Sequence, residues 1–164
     1  MNWSHPLGVP MNIRRATSED TTAIAELTVA FRNHLERATP TAKQFEESIA
    51  TLLTSSDAEF YVAELQEKLV GYVLQRYRYS MWICGIEATI EDLFVDPAVR
   101  NRGVGKSLVE YALQAAIEHH CLSICLDTNE FNEASTAIYT QLGFSAISKR
   151  WNGRQIFFRK PFLY

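Results

Sequence analysis

The sequence predicts a mixed α/β fold, with antiparallel strands in its first half and helical crossovers between strands in its second. Three observations carry this. Apolar residues recur at helical spacing in separate stretches of the chain. Runs rich in β-branched and aromatic residues lie between them, two of them parted only by Gln66-Glu67-Lys68. The 164 residues suit one sizeable core, and so a single main domain (12–164) after an irregular arm (1–11).

The elements follow in the order β-α-α-β-β-β-α-β-α-β-β. Asn12 to Ala16 reads as a short first strand. Thr17 or Ser18 offers an N-cap for a helix with Ile24, Leu27, Phe31 and Leu35 on one side. Thr39-Pro40 suggests a second helix start, with proline at the first helical position and Phe45, Ile49, Leu52 and Leu53 as the apolar stripe. Glu59 to Leu65 and Leu69 to Tyr79 form an expected hairpin, and Ile83 to Val95 a long strand closed by Asp96-Pro97. A strong helix runs from Gly103 to His120, then a short buried strand from Leu122 to Leu126. Asn132 to Leu142 is the last helix, stopped by Gly143. Phe144 to Arg150 and Arg154 to Lys160 are expected strands around Asn152-Gly153, a tight-turn signal.

Composition narrows the function classes. Sixteen Lys and Arg against nineteen Asp and Glu give a net charge of −3, which argues against an electrostatic nucleic-acid binder. No window approaches the ~20 apolar residues that span a bilayer. The first ten residues lack the basic and apolar regions of a signal peptide, and Met11 offers an alternative start. Cys84, Cys121 and Cys125 have no disulfide-framework spacing, so a reduced, cytoplasmic setting is expected. His119, His120, Cys121 and Cys125 cluster, but the histidines suit a helix C-terminus and the cysteines one face of a strand; no metal site is expected there.

The most informative segment is Leu93-Phe94-Val95-Asp96-Pro97-Ala98-Val99-Arg100-Asn101-Arg102-Gly103-Val104-Gly105-Lys106-Ser107. It passes from strand to glycine turn to helix, where unpaired N–H groups and the helix dipole favour an anion. Arg100, Arg102 and Lys106 add positive charge. A nucleotide-triphosphate loop needs glycine at Arg100, and a dinucleotide fingerprint needs glycine or alanine at Leu108; neither fits. Arg100-x-x-Gly103-x-Gly105 after Leu93-Phe94-Val95 instead resembles the cofactor motif of the GNAT N-acetyltransferase superfamily. A second block, Asn132-Glu133-Ala134-Ser135-Thr136-Ala137-Ile138-Tyr139-Thr140-Gln141-Leu142-Gly143-Phe144, resembles that family's later signature and falls after the expected strand. The element order agrees from about Asn12 to Lys160.

The resemblance implies the GNAT acyltransferase fold and acetyl transfer from acetyl-CoA to a primary amine, by direct attack and with no metal. In that fold the fourth and fifth strands splay, and the pantetheine arm fills the gap beside Leu93, Phe94 and Val95. The amides of Arg100, Asn101, Arg102, Gly103, Val104, Gly105, Lys106 and Ser107 are then expected on the pyrophosphate, and Asn132 on the pantetheine arm. Tyr139 matches the general acid, for which a phenol with an ordinary pKa of ~10 is protonated at neutral pH. For the base, strand alternation puts Glu87, Thr89 and Glu91 on one face and Asp92 on the other, unless a bulge swaps them. Glu91-Asp92-Leu93-Phe94-Val95, after Tyr79-Ser80-Met81-Trp82, resembles the polyamine or diamine branch of the family, which favours Glu91; Glu87, Asp92 and water are the alternatives. The acceptor pocket is expected among Phe31, His34, Glu36, Tyr79, Trp82 and Trp151. A homodimer joined through Gln155 to Tyr164 follows from the same resemblance. Rival functions are a coenzyme A-binding regulatory module without turnover and a protein or peptide N-acetyltransferase.

Overall fold

The polar Gln66-Glu67 pair, both residues at positive φ (50° and 63°), closes the hairpin at the centre of a five-stranded sheet. Its strands are β1 (Met11–Arg15), β2 (Ala58–Leu65), β3 (Lys68–Ser80), β4 (Gly85–Val95) and β5 (Ser123–Leu126), hydrogen-bonded in chain order. The first four are mutually antiparallel and β5 runs parallel to β4. A parallel junction needs a crossover, supplied by α3 (Val104–Glu118). α1 (Thr21–His34) and α2 (Ala42–Leu53) join β1 to β2. The computed structural model describes residues 11–162, so most of the expected N-terminal arm lies outside the described residues, while Met11 opens β1. The chain divides into two compact units, the first ending at Leu126 and the second beginning at Asp127.

Period-two alternation sorts the first unit into two layers. Phe60, Val62, Tyr72, Leu74 and Phe94 pack with Ile24, Ala25 and Leu27 of α1 and Ile49 of α2, and Phe45, Leu52 and Leu53 close the edge as the α2 stripe predicts. On the opposite face Tyr61 packs its ring on Tyr111 of α3, centroids 5.1 Å apart, and Val104, Leu108, Val109 and Ala112 of that helix are fully buried. A Cβ on Gly71 would lie 2.9 Å from the Phe94 carbonyl oxygen and 3.2 Å from Leu108. Glycine there lets α3 lie against β3 and β4. Gly71→Ala is therefore expected to destabilise the fold by about 1–3 kcal/mol, read as a lowered urea midpoint. An unchanged midpoint would show that the layers have room to give.

Thr17, one of the two expected caps, is the N-cap of the 3-10 turn Ser18–Asp20 that leads into α1, whereas α2 starts differently from expectation. Asp20 sits buried at the head of α1, accepting two Arg14 nitrogens at 2.8 Å each and the Thr17 N–H at 2.8 Å. α2 begins at Ala42 rather than at Pro40. Thr41 is its cap: the Thr41 hydroxyl accepts from the Gln44 N–H at 3.3 Å, and the Gln44 side chain returns to the Thr41 N–H at 2.8 Å. That reciprocal pair satisfies two donors that a start at Pro40 would leave unpaired.

In the second unit, α4 (Glu133–Gln141) is followed by Gly143 at φ 88° and a short hairpin, β6 (Ile147–Ser148) with β7 (Gly153–Arg154). The two longer strands expected here reduce to these pairs of residues. Ile156, Phe157 and Phe158 are consecutive, apolar and all exposed, so no alternation selects a register for a longer ladder. Nor do Asn152 and Gly153 form a two-residue turn: Asn152 takes the left-handed conformation at φ 50° and Gly153 is already in β7.

Candidate active site

β4 carries the feature from which the candidate site is built. Its parallel pairing with β5 stops at Ile90–Leu126. Among the described residues, the stretch from Glu91 to Val95 therefore has no strand on its β5 side. Asp96 N–H donates to the Val70 carbonyl at 2.8 Å, and antiparallel ladders alternate their hydrogen-bonded pairs. Tyr72–Phe94 and Leu74–Asp92 are then ladder pairs, so Phe94 directs its N–H and C=O into β3. Leu93 and Val95 direct theirs to the side that β5 leaves. Of the three backbone positions expected on a pantetheine arm, two face that edge and Phe94 does not.

A bulge lies at the same place. Gln75 pairs with Ile90 and Leu74 with Asp92, leaving Glu91 as the extra residue. It corrects the face assignment drawn from simple alternation. Glu87, Thr89, Asp92 and Phe94 oppose Arg78, Arg76, Leu74 and Tyr72, so all four lie on the face toward α1 and α2. Asp92 thus shares a face with Glu87 and Thr89, and Glu91 stands out in the bulge.

The three candidate carboxylates have different surroundings. Glu87 is bound by Arg78 and by the Ser123 hydroxyl at 2.8 Å. Glu91 is exposed and 3.5 Å from Arg76, whose guanidinium also holds Asp57 at 2.9 Å. Asp92 is half-buried. Its Oδ2 accepts from the Tyr72 hydroxyl at 2.5 Å and its Oδ1 from the Leu93 N–H at 3.1 Å. Burial pushes the Asp92 carboxyl above the usual carboxylate range despite those two hydrogen bonds, and neighbouring Glu91 adds to the rise.

From Val95 a short connection leads into α3. Asp96 caps the short 3-10 turn Pro97–Val99 through the Ala98 N–H at 2.9 Å, and Arg100 donates to the Val95 carbonyl at 3.1 Å with its guanidinium over the Phe94 ring. Asn101 (φ 60°) and Gly103 (φ 82°) then reverse the backbone, a conformation that glycine adopts without strain. Gly103 is the N-cap of α3 and has no side chain to satisfy the first turn. The donors of Val104, Gly105 and Lys106 thus open the helix without a side-chain cap, the arrangement that binds phosphate. Lys106 is 3.9 Å from Glu110.

The second unit holds the other two expected site residues. Asn132 is the N-cap of α4, its side chain accepting from the Ser135 N–H at 3.3 Å. Tyr139 is buried, with its ring edge-on to Phe144 at 5.9 Å and its carbonyl accepting the Phe144 N–H at 2.9 Å. Within the first unit the expected acceptor residues do not assemble as one group. Phe31 stacks on Phe94 at 5.0 Å. Tyr79 pairs with Ile86, about 25 Å of strand back from Phe94 at ~3.3 Å per residue, and Trp82 lies in the turn beyond it. Trp151 belongs to the second unit.

The model of the GNAT acetyltransferase family matches residues 23–144, most of the chain. The chain belongs to the GNAT acetyltransferase family. It is 26% identical over 134 residues to the uncharacterized N-acetyltransferase YhfO of Bacillus subtilis, covering 82% of this chain and 89% of that one. It is 29% identical over 75 residues to the thialysine N-epsilon-acetyltransferase of Bos taurus, covering 46% of this chain. The chain spans only 44% of that relative's length. The fold is that of a putative acetyltransferase from Arthrobacter sp. FB24 (TM-score 0.82, 18% identity, 92% and 96% of the two chains). It is equally that of aminoglycoside N-acetyltransferase AAC(6')-Iy solved with CoA (TM-score 0.75, 23% identity, 94% and 97%).

Sequence reasoning missed Tyr72 and Arg76, the side chains that distinguish Asp92 from Glu91. No local motif marks them, because their contacts come from the β3–β4 register. Among the described residues, no helix is long and apolar enough to cross a membrane.

Proposed function

We propose that this protein transfers the acetyl group of acetyl-CoA to a primary amine of a small molecule, by direct attack in a ternary complex. One observation carries the reading: the edge of β4 that β5 leaves unpaired leads, through the short 3-10 turn Pro97–Val99, to a glycine-capped helix N-terminus. The edge offers the Leu93 carbonyl and the Val95 N–H to an extended amide-bearing arm, the Leu93 N–H and the Val95 carbonyl being engaged by Asp92 and Arg100, and the helix start offers its donors to a pyrophosphate. These residues fit the two halves of a coenzyme A molecule.

On this reading the arm lies along β4, and the amides of Arg100 through Ser107 hold the phosphates. Asn132 meets the arm, and Tyr139 protonates the departing thiolate, as their places in the second GNAT block support. The amine nitrogen bonds to the thioester carbon, the C–S bond breaks, and the products are an amide and the free thiol. The acceptor class is favoured by the polyamine-like Glu91-Asp92-Leu93-Phe94-Val95 block and by the likeness to thialysine acetyltransferases. The reading further includes a cytoplasmic homodimer joined through residues 155–164; a light-scattering mass of one chain would remove the dimer.

Acetyl-CoA is expected to raise the melting temperature, and thiol release is expected with a member of a panel of polyamines, amino acids, aminoglycosides and peptides. Stabilisation without release from any acceptor would favour a coenzyme A-binding regulatory module. Absence of stabilisation at millimolar acetyl-CoA would sink both readings. Release with peptides alone would move the acceptor to protein.

A further inference from the structure

We propose that the Asp92 carboxylate, held between the Tyr72 hydroxyl and the Leu93 amide at the unpaired edge of β4, accepts the proton that an ammonium acceptor must shed before it attacks. This inference rests on the acetyltransferase reading and assigns a step within it, in place of the Glu91 role that the sequence favours.

The bulge at Glu91 is what makes the assignment. By adding one residue it rotates Asp92 onto the face of α1 and α2, in line with Phe94 and Tyr72. Oδ2 is occupied by Tyr72, whose own hydroxyl meets Thr28 of α1. Oδ1 lies 3.1 Å from the Leu93 nitrogen, and that N–H points to the side β5 leaves. The carboxylate therefore sits at a corner, with one oxygen anchored in the α1 face and the other beside the edge where a thioester would lie.

Its neighbours set its affinity for a proton. The charged and titratable groups against it are Tyr72 on β3 and Glu91 on β4. Tyr72 is buried and beside a carboxylate, both of which hold its phenol protonated well above the ordinary range, so it stays a donor. Glu91 raises the proton affinity of Asp92 by like-charge repulsion. Glu91 itself is exposed and its carboxylate lies 3.5 Å from Arg76.

The protons balance. The ammonium gives one proton to Asp92 Oδ1 and becomes a free amine, which attacks the thioester carbon. The tetrahedral adduct loses its second N–H proton as the thiolate leaves, and one proton ends on the thiol. Asp92 returns its proton to water, so one proton is released per turnover. Protonation of Oδ1 also weakens its hold on the Leu93 N–H, a donor directed at the edge where oxyanion charge develops.

The experiment compares pH profiles of kcat/KM, with the acceptor identified from the panel, for the wild-type chain and the variants Tyr72→Phe and Arg76→Gln. Tyr72→Phe removes a donor that stabilises ionised Asp92, so the acidic limb is expected to move up by about one pH unit. Arg76→Gln is expected to leave the limb in place. Asp92→Asn is expected to lower kcat by about 100-fold or more with acetyl-CoA binding retained. A limb that moves with Arg76→Gln as far as with Tyr72→Phe, or with neither, overturns the assignment, as does an Asp92→Asn enzyme within about threefold of wild-type kcat. If Asp92→Asn does not fold, the Tyr72→Phe and Arg76→Gln profiles decide alone. No thiol release from the wild-type chain overturns the acetyltransferase reading, and this assignment with it.

Discussion

Tyr139→Phe is expected to lower turnover by about 100-fold or more while changing acetyl-CoA affinity far less. Removal of a thiolate from the tetrahedral adduct is easier when a proton reaches the sulfur as the bond breaks, and phenylalanine has no proton to give. The substitution keeps the ring, and with it the edge-on contact to Phe144 at 5.9 Å, so α4 and Gly143 should keep their geometry. Turnover of a saturating amine, set beside acetyl-CoA binding by calorimetry, separates the two effects. Equal turnover in the variant would take Tyr139 out of the chemistry. A parallel fall in affinity and turnover would make it a binding residue.

The second large effect is on stability. Asp20→Ala is expected to cost about 2–3 kcal/mol, or about 4–12 °C in melting temperature for a chain of this size. The substitution removes both oxygens of a two-point contact with Arg14 and the acceptor for the Thr17 N–H. The cost is set at the lower end for a buried pair because the Arg14 side chain is 36% exposed and regains water. The Arg14 guanidinium holds the Asp20 carboxyl below the usual carboxylate range. The stabilisation is therefore complete above the ordinary Asp pKa of about 3.9 and is lost as pH falls through the lower folded value. Burial pushes Glu59 up, but the Tyr61 and Tyr77 hydroxyls, Arg15 and His119 outweigh it, and it too titrates below its ordinary range. Stability should accordingly drop below about pH 4. The gap in urea midpoint between wild type and Asp20→Asn should narrow from pH 7 to pH 3; a constant gap would remove Asp20 as a source of the acid lability.

Much of this molecule was legible in its sequence because the signals are local. Helical spacing gave α1, α3 and α4 to within a few residues, and the Gln66-Glu67 turn gave the central hairpin. The strand-turn-helix passage from Leu93 to Ser107 needs only the order of its residues, since a left-handed Gly103 and an uncapped helix start are properties of adjacent peptides. Where local and distant demands compete, the sequence misled. Pro40 is a good first helical residue, but Thr41 and Gln44 satisfy more donors. Asn152-Gly153 is a good tight turn, yet the exposed segment after Gly153 offers no ladder to hold one.

The sequence by itself determined the mixed α/β class, the glycine turn that opens α3 and the presence of a carboxylate pair at Glu91 and Asp92. Only the tertiary structure decided which of the two is half-buried and which exposed. A single extra residue in β4, fixed by its pairing with Leu74 and Gln75, reverses the alternation that sequence spacing assumes. It turns Asp92 toward Tyr72 and leaves Glu91 to Arg76. The reason is physical: alternation along one strand is local, but a bulge is a property of two strands in register, and those partners lie 15 and 18 residues apart.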